Sequence, residues 1–163
     1  MKKLKVVTIV GTRPEIIRLS RLIPKLDEYT DHVFVHTGQN SDPKLNEVFF
    51  EDLELRAPDY YLNVDTSSMG SVMGDVIKKS EEVFQKEKPD AVMILGDTNS
   101  AIAAIVAERL HIPVYHMEAG NRSFDNNVPE ELNRKMVDHV ASFNLPYNDY
   151  SMRNLLAEGI HPR

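Results

Sequence analysis

Cysteine is missing from all 163 residues. That absence excludes disulfides, thiolate metal sites and reactive-thiol chemistry, and it is compatible with a reducing compartment. No apolar run approaches the roughly 20 residues that a membrane-spanning helix needs. The opening MKKLKVVTIVGTRPE places lysines ahead of VVTIV, but that run is short and passes straight into GTRPE without a small-residue cleavage pattern. It reads as a first strand, not a signal peptide, and the chain is expected to be soluble and cytoplasmic. No four basic residues stand together, and 19 basic against 25 acidic side chains leave a formal charge of −6. This balance argues against nonspecific binding to nucleic acid or to an anionic membrane, although a local basic pocket is compatible with it. Repeats and low-complexity segments are also absent. So are GxGxxG and GxxxxGK[ST], which disfavours a nicotinamide Rossmann site and a P-loop. Without GxSxG there is no nucleophile elbow to turn Asp138-His139 into a triad. Without HxH or HExxH, His36, His116 and His139 are expected to be packed, hydrogen-bonded histidines, not metal ligands.

What is present fits one folded domain. Hydrophobic residues make up 42% and charged residues 27% of the chain, ordinary values for a globular protein, and the length suits one α/β core better than two. The runs KVVTIV, HVFVHT, AVMILG and IPVYHM are short, β-branched and not alternating, as strands covered on both faces should be. Between them lie helical patterns. PEIIRLSRLIPKLDEY sets Ile16, Ile17, Leu19, Leu22, Ile23 and Leu26 along one stripe, with Pro14 in its first turn and a kink expected at Pro24. Residues 43–52, 70–87 and 97–110 form further helical segments, the last capped by Thr98 or Asn99, and a final helix precedes the chain end. Strands alternating with helices predict right-handed βαβ units and an α/β, doubly wound, mainly parallel Rossmann-like sheet.

Ligands bind such sheets outside the carboxyl ends of the strands. That rule selects GTRPE, TGQN, LGDTNS and MEAGNR. GTRPE offers a tight turn at Gly11 and a helix start whose free amides attract anions, with Arg13 in the loop and Arg18 one turn on as candidate phosphate ligands. In LGDTNS, Thr98 and Asn99 can cap the helix, which frees Asp97 for the crevice. In MEAGNR, Glu118 ends a strand, Gly120 permits close backbone approach, and Arg122 can orient a carboxylate or a ligand. VPEELNR puts Glu130 and Glu131 in a first helical turn, where acids suit the helix dipole; one of them would add a third carboxylate to the crevice.

GTRPEIIRLS, LGDTNS, HMEAGNR and VPEELNR, in that order, resemble the N-terminal half of the non-hydrolysing UDP-N-acetylglucosamine 2-epimerases. The resemblance runs from the first strand to the last residue. It implies one half of a glycosyltransferase-B type fold: residues 1–163 form the N-terminal Rossmann-like domain, and the C-terminal nucleotide-binding domain is absent from this chain. The wording TRPEIIRLS, TGQN, NEVFFEDL and HMEAGNRSFD is most similar to the branch that converts UDP-2-acetamido-2,6-dideoxy-L-talose to UDP-N-acetyl-L-fucosamine for capsule and O-antigen. The branch that makes UDP-N-acetylmannosamine has a lysine at the position of Arg18. It carries a QHR-type segment of a regulatory UDP-sugar site where Gln39-Asn40 stand, and close relatives carry an aromatic residue at the position of Ser41.

By the same resemblance Asp97, Glu118 and Glu130 are the catalytic carboxylates and Arg13 and Arg18 the basic pair near the nucleotide-sugar; Arg122, from its place in MEAGNR, is expected on the substrate side as well. The implied reaction removes the C2 proton, expels UDP to leave a glycal, and returns UDP with a proton on the opposite face of C2. Two faces of one carbon call for two acid–base groups, and a departing diphosphate calls for cations. Carboxylates held close together disfavour simultaneous ionisation, which supplies a base and an acid in one pocket. No metal or redox cofactor is implied. The implied partners are a UDP-activated amino sugar and, in the full-length enzyme, a second copy of the chain. The alternatives are an epimerase of UDP-N-acetylglucosamine and UDP-N-acetylmannosamine, and a glycosyltransferase-B sugar transferase, which would release no free glycal. A flavodoxin- or receiver-like module fits poorly, because a receiver needs an acidic pair where the first strand here ends in GTR.

Overall fold

The computed structural model describes residues 2–39 and 50–162. Six strands form one sheet: β1 Lys5–Val10, β2 Asp31–His36, β3 Tyr60–Tyr61, β4 Ala91–Leu95, β5 Val114–Met117 and β6 Phe143–Leu145. Their order is β3-β2-β1-β4-β5-β6, and every neighbouring pair is parallel. The chain builds outward from β1 in one direction and then from β4 in the other. The strand order therefore reverses between β1 and β4, which opens a crevice at their carboxyl ends.

Both faces of the sheet are covered, as the unbroken apolar runs require. Successive side chains of a strand point to opposite faces. Val33 and Val35 accordingly join the core that holds Val76, Phe84, Ala104 and Val137, whereas Phe34 joins the one that holds Ile16, Leu19 and Ile23. Helices α1 Arg13–Leu19 and α2 Ile23–Tyr29 supply the second core. Helices α3 Met69–Glu87, α4 Ala103–Arg109 and α5 Pro129–Val140 supply the first, and α6 Asp149–Ala157 follows β6. Among the described residues no helix is long and apolar enough to cross a membrane.

The four apolar runs are β1, β2, β4 and β5, and the segment expected at 70–87 is α3, capped by the Ser68 hydroxyl accepting from the Ser71 N–H. Three expectations change. The single kinked helix over 14–29 is two helices, broken at Ser20–Leu22, where bonds run from Ser20 and Leu22 N–H back to the carbonyls of Ile17 and Leu19. Pro24 has no N–H to donate, and its ring excludes the carbonyl four residues earlier, so the break falls a turn ahead of it and Pro24 sits in the first turn of α2. The helix expected from Asp97 starts as a 3₁₀ turn over Asn99–Ile102 before α4. Strands β3 and β6, two and three residues long, carry no recognisable period. Of the helix expected at 43–52, residues 50–52 are helical; the rest lies outside the described residues, as do Asn40 and Ser41.

Candidate active site

The reversal point is lined from all sides. A crevice of about 500 Å³ is bounded by Thr12, Pro14 and Glu15 after β1, Arg18 on α1, Gly96, Asp97 and Thr98 after β4, Glu118 after β5, and Glu130 and Arg134 on α5. Register puts these groups level. Leu95 of β4 pairs with Met117 of β5, and the Gly96 N–H donates to the Met117 carbonyl at 3.0 Å, so Asp97 and Glu118 leave the sheet side by side. Gln39 adds the TGQN loop in an adjoining cavity that shares Thr12, Thr98 and Glu130, and its amide nitrogen lies 3.4 Å from the Thr98 hydroxyl.

Each loop carries its acid for a local reason. Thr98 caps the 3₁₀ turn through its hydroxyl, which leaves the Asp97 side chain for the crevice. There it forms an ion pair with Arg134. Asn133 holds the same loop by its main chain, donating to the Asp97 carbonyl at 3.0 Å. Glu118 has φ +65, the left-handed region, which costs a non-glycine residue about 1–2 kcal/mol. The turn is fixed by Gly120, at φ +79, where a Cβ would lie 2.2 Å from the Ser151 carbonyl oxygen. Turned this way, Glu118 pairs with Arg18. Two carboxylates, each paired with a guanidinium group, thus line one cavity. Glu130 is exposed at its mouth, while Glu131 is buried and accepts from the Ser123 N–H at 2.9 Å, which closes the preceding loop.

The other arginines divide. Arg13 opens α1, half-buried, and is not among the residues lining the crevice. Arg122 stands apart from it: NH1 donates to Asp138 Oδ2 at 2.7 Å, and Nε and NH2 donate to Glu158 at 2.7 and 2.6 Å. Its cation orients two protein carboxylates, the first of the two roles expected for it. Of the histidines, His116 is fully buried between the Gly96 carbonyl and Asp138, and Asp138 faces it instead of its neighbour His139. His36 is buried and neutral, its pKa pushed down to about 4 by burial, with Nδ1 accepting from the Gly38 N–H at 3.0 Å. His139 is exposed and bonds the Lys135 carbonyl.

Arg134, Asn133 and Glu15 escaped sequence reasoning. Glu15 had a readable signal, because Thr12-x-x-Glu15 has capping-box spacing. Its Oε2 accepts from the N–H groups of Gly11 and Thr12 at 3.0 and 2.7 Å and from the Thr12 hydroxyl at 2.8 Å. Burial, the largest influence, raises its pKa against these bonds. Arg134 and Asn133 carry no local signal, since their partners lie 37 and 36 residues earlier in the chain.

The family described as UDP-N-acetylglucosamine 2-epimerase matches residues 25–163. A solved UDP-N-acetylglucosamine 2-epimerase from Rickettsia bellii superimposes with TM-score 0.92 at 52% identity, over 98% of this chain and 43% of that one. The Methanocaldococcus jannaschii UDP-GlcNAc 2-epimerase, solved in complex with UDP-GlcNAc and UDP, gives TM-score 0.92 at 43% identity, over 97% and 44%. The UDP-2,3-diacetamido-2,3-dideoxy-D-glucuronate 2-epimerase of Pseudomonas aeruginosa is 39% identical over 96% of this chain and 45% of its own length. The chain therefore spans less than half the length of these relatives. With its parallel six-stranded sheet and its crevice at the strand reversal, the chain belongs to the UDP-N-acetylglucosamine 2-epimerase family.

Proposed function

We propose that this chain is the first of two domains of a nucleotide-sugar C2 epimerase, and that the substrate is UDP-2-acetamido-2,6-dideoxy-L-talose, converted to UDP-N-acetyl-L-fucosamine. The observation that carries the reaction type is the pairing of Asp97 with Arg134 and of Glu118 with Arg18 inside one crevice. One carboxylate takes the C2 proton, and the C1–oxygen bond breaks with its electron pair leaving on the diphosphate of UDP. The other carboxylate returns a proton to the opposite face of C2 as UDP re-adds at C1. Glu130, at the mouth, serves as the third acid–base group. Arg18, whose side chain is 51% exposed, is the cation that a diphosphate reaches first. Drawing it toward the phosphates frees Glu118 to act, and Arg13 at the head of α1 adds charge on the same side.

The L-talose substrate is supported by the motif wording, and the Pseudomonas relative, named for a different UDP-sugar, is in keeping with a family that varies its sugar. A second, nucleotide-binding domain is supported by the length of the relatives. The test incubates full-length protein in deuterium oxide with each of the L-talose, GlcNAc and diacetamido-glucuronate UDP-sugars and follows C2 by NMR. Deuterium at C2 with transient glycal and UDP, fastest for the L-talose sugar, is expected. The 163-residue chain alone, lacking the opposite wall, is expected to show no exchange. Exchange only with UDP-GlcNAc would move the substrate assignment, and sugar transfer to an acceptor without C2 exchange would sink the epimerase reading.

A further inference from the structure

Behind the crevice lies a second polar cluster that the proposed reaction does not use. His116 is fully buried in β5. Its Nε2 lies 2.7 Å from the carbonyl oxygen of Gly96, the residue before Asp97. Its Nδ1 lies 2.9 Å from Asp138 Oδ1, at an angle that makes an ion-pair contact, not a linear hydrogen bond. Asp138 also receives the Gly120 N–H, at 3.1 Å on Oδ2 and 3.3 Å on Oδ1, two residues after Glu118. Beyond it, Arg122 donates to Asp138 and is held by Glu158, the residue that follows α6, with His139 Nδ1 3.8 Å from Glu158 at the rim.

We propose that His116 and Asp138 form a buried clamp that sets the spacing of the Asp97 and Glu118 loops, with hydrogen on both nitrogens of the His116 ring. A carbonyl oxygen and an ionised carboxylate offer only lone pairs, so a ring nitrogen facing either one must carry its hydrogen to be attracted. Asp138, 1% exposed, then lies between two cations, His116 and Arg122, while Glu158 is exposed at the rim. A neutral ring with a bare Nδ1 would set a lone pair against the Asp138 carboxylate.

The clamp acts on the chemistry through position. Its ring grips the carbonyl just before Asp97, and its carboxylate grips the amide just after the left-handed turn at Glu118. A backbone held in that region persists where its surroundings fix it, and these contacts act there together with Gly120 and the Asn154 amide on the Gly120 carbonyl. His116 and Asp138 are therefore positioning residues for the proposed pair Asp97 and Glu118, and the inference rests on that assignment.

The test uses the full-length protein with ¹⁵N-labelled histidine, near neutral pH. His116, assigned by its loss in His116→Gln, is expected to show both ring nitrogens in the N–H range; a neutral tautomer there overturns the proposal. Asp138→Asn keeps an acceptor for Gly120 and Arg122 but turns an N–H₂ toward Nδ1, so the ring is expected to become neutral with Nδ1 accepting. Turnover in the C2 exchange assay is expected to fall about 10- to 100-fold with KM within about threefold, the signature of misplaced groups. His116→Gln, which retains a donor toward Gly96, is expected to keep more turnover than His116→Ala. A folded Asp138→Asn with unchanged turnover overturns the clamp, and if that variant does not fold, the wild-type spectrum still decides. Failure of wild-type protein to exchange C2 would instead defeat the epimerase reading, which the histidine spectrum does not depend on.

Discussion

The loops after β1 and β5 each bring a glutamate to the same crevice and hold it in opposite ways. Glu15, 2% exposed, is surrounded by donors: the N–H groups of Gly11 and Thr12 and the hydroxyls of Thr12 and Ser100. Its lone pairs are committed to shaping the loop. Glu118, 7% exposed, keeps as its main partner the guanidinium of Arg18, a side chain half in solvent, with the Asn121 amide 3.4 Å away. One carboxylate is locked by groups that cannot leave, and the other by a cation that an incoming anion can draw off. Presence in a crevice therefore does not make a catalyst. A general acid or base needs lone pairs that the substrate can reach, and among these two only Glu118 has them.

The strongest way to break this contrast is the same carboxylate-to-amide replacement at both places in the full-length protein. Glu118→Gln keeps the shape and removes the basicity, so turnover is expected to fall roughly 100-fold or more while UDP affinity stays within a few-fold. Steady-state conversion together with UDP titration measures both. Near-normal turnover would reduce Glu118 to loop structure.

A smaller effect tests whether the β5 loop is built as tightly as its strained glutamate requires. Gly120→Ala adds a methyl group 2.2 Å from the Ser151 carbonyl oxygen at a positive φ, and Gly96→Ala adds one at φ +73 with nothing within 4 Å. Urea unfolding is expected to show a loss of about 3 kcal/mol or more for the first, from overpacking plus left-handed strain, and about 1–2 kcal/mol for the second. Equal losses would mean that the β5 loop yields as freely as the β4 loop.

The smallest effect is expected from Glu15→Gln. Its oxygen still accepts from Gly11 and Thr12, and its N–H₂ can face the Ser100 hydroxyl, so stability near neutral pH is expected to change by less than about 1 kcal/mol and turnover by less than about tenfold. The pH dependence has a definite sign. Burial raises the Glu15 pKa, so the folded protein holds this proton above the ordinary value of 4.5 and loses stability as the pH rises from there through the raised value. The amide cannot ionise, so the variant should gain on wild type between pH 4.5 and neutrality in paired urea titrations. A loss as large as that of Gly120→Ala would show that Glu15 must be charged for the loop to form.

Much of this molecule follows from local sequence. The β-branched runs at 5–10, 32–37, 91–96 and 112–117 specify strands covered on both faces, because neither face offers a polar period for water. Parallel strands then require crossovers, and crossovers bring GTR, TGQ, GDT and EAG to one edge of the sheet. Asp97 was released to the crevice because Thr98 beside it caps the turn, a relation within two residues. Only the tertiary structure decided who meets whom. Arg18 and Glu118 are 100 residues apart in the chain, and no local preference encodes their meeting. Arg134 reaches Asp97 because α5 packs over the β4 loop, while Arg122, with the same side chain, is drawn away to Asp138 and Glu158. Asp138 turns from its neighbour His139 to His116, because on α5 it is the buried Asp138 that faces the sheet while His139 remains exposed. Backbone propensity is a property of a few consecutive residues, whereas the partner of a charge is set by the register of β4 on β5 and the packing of helices over the sheet.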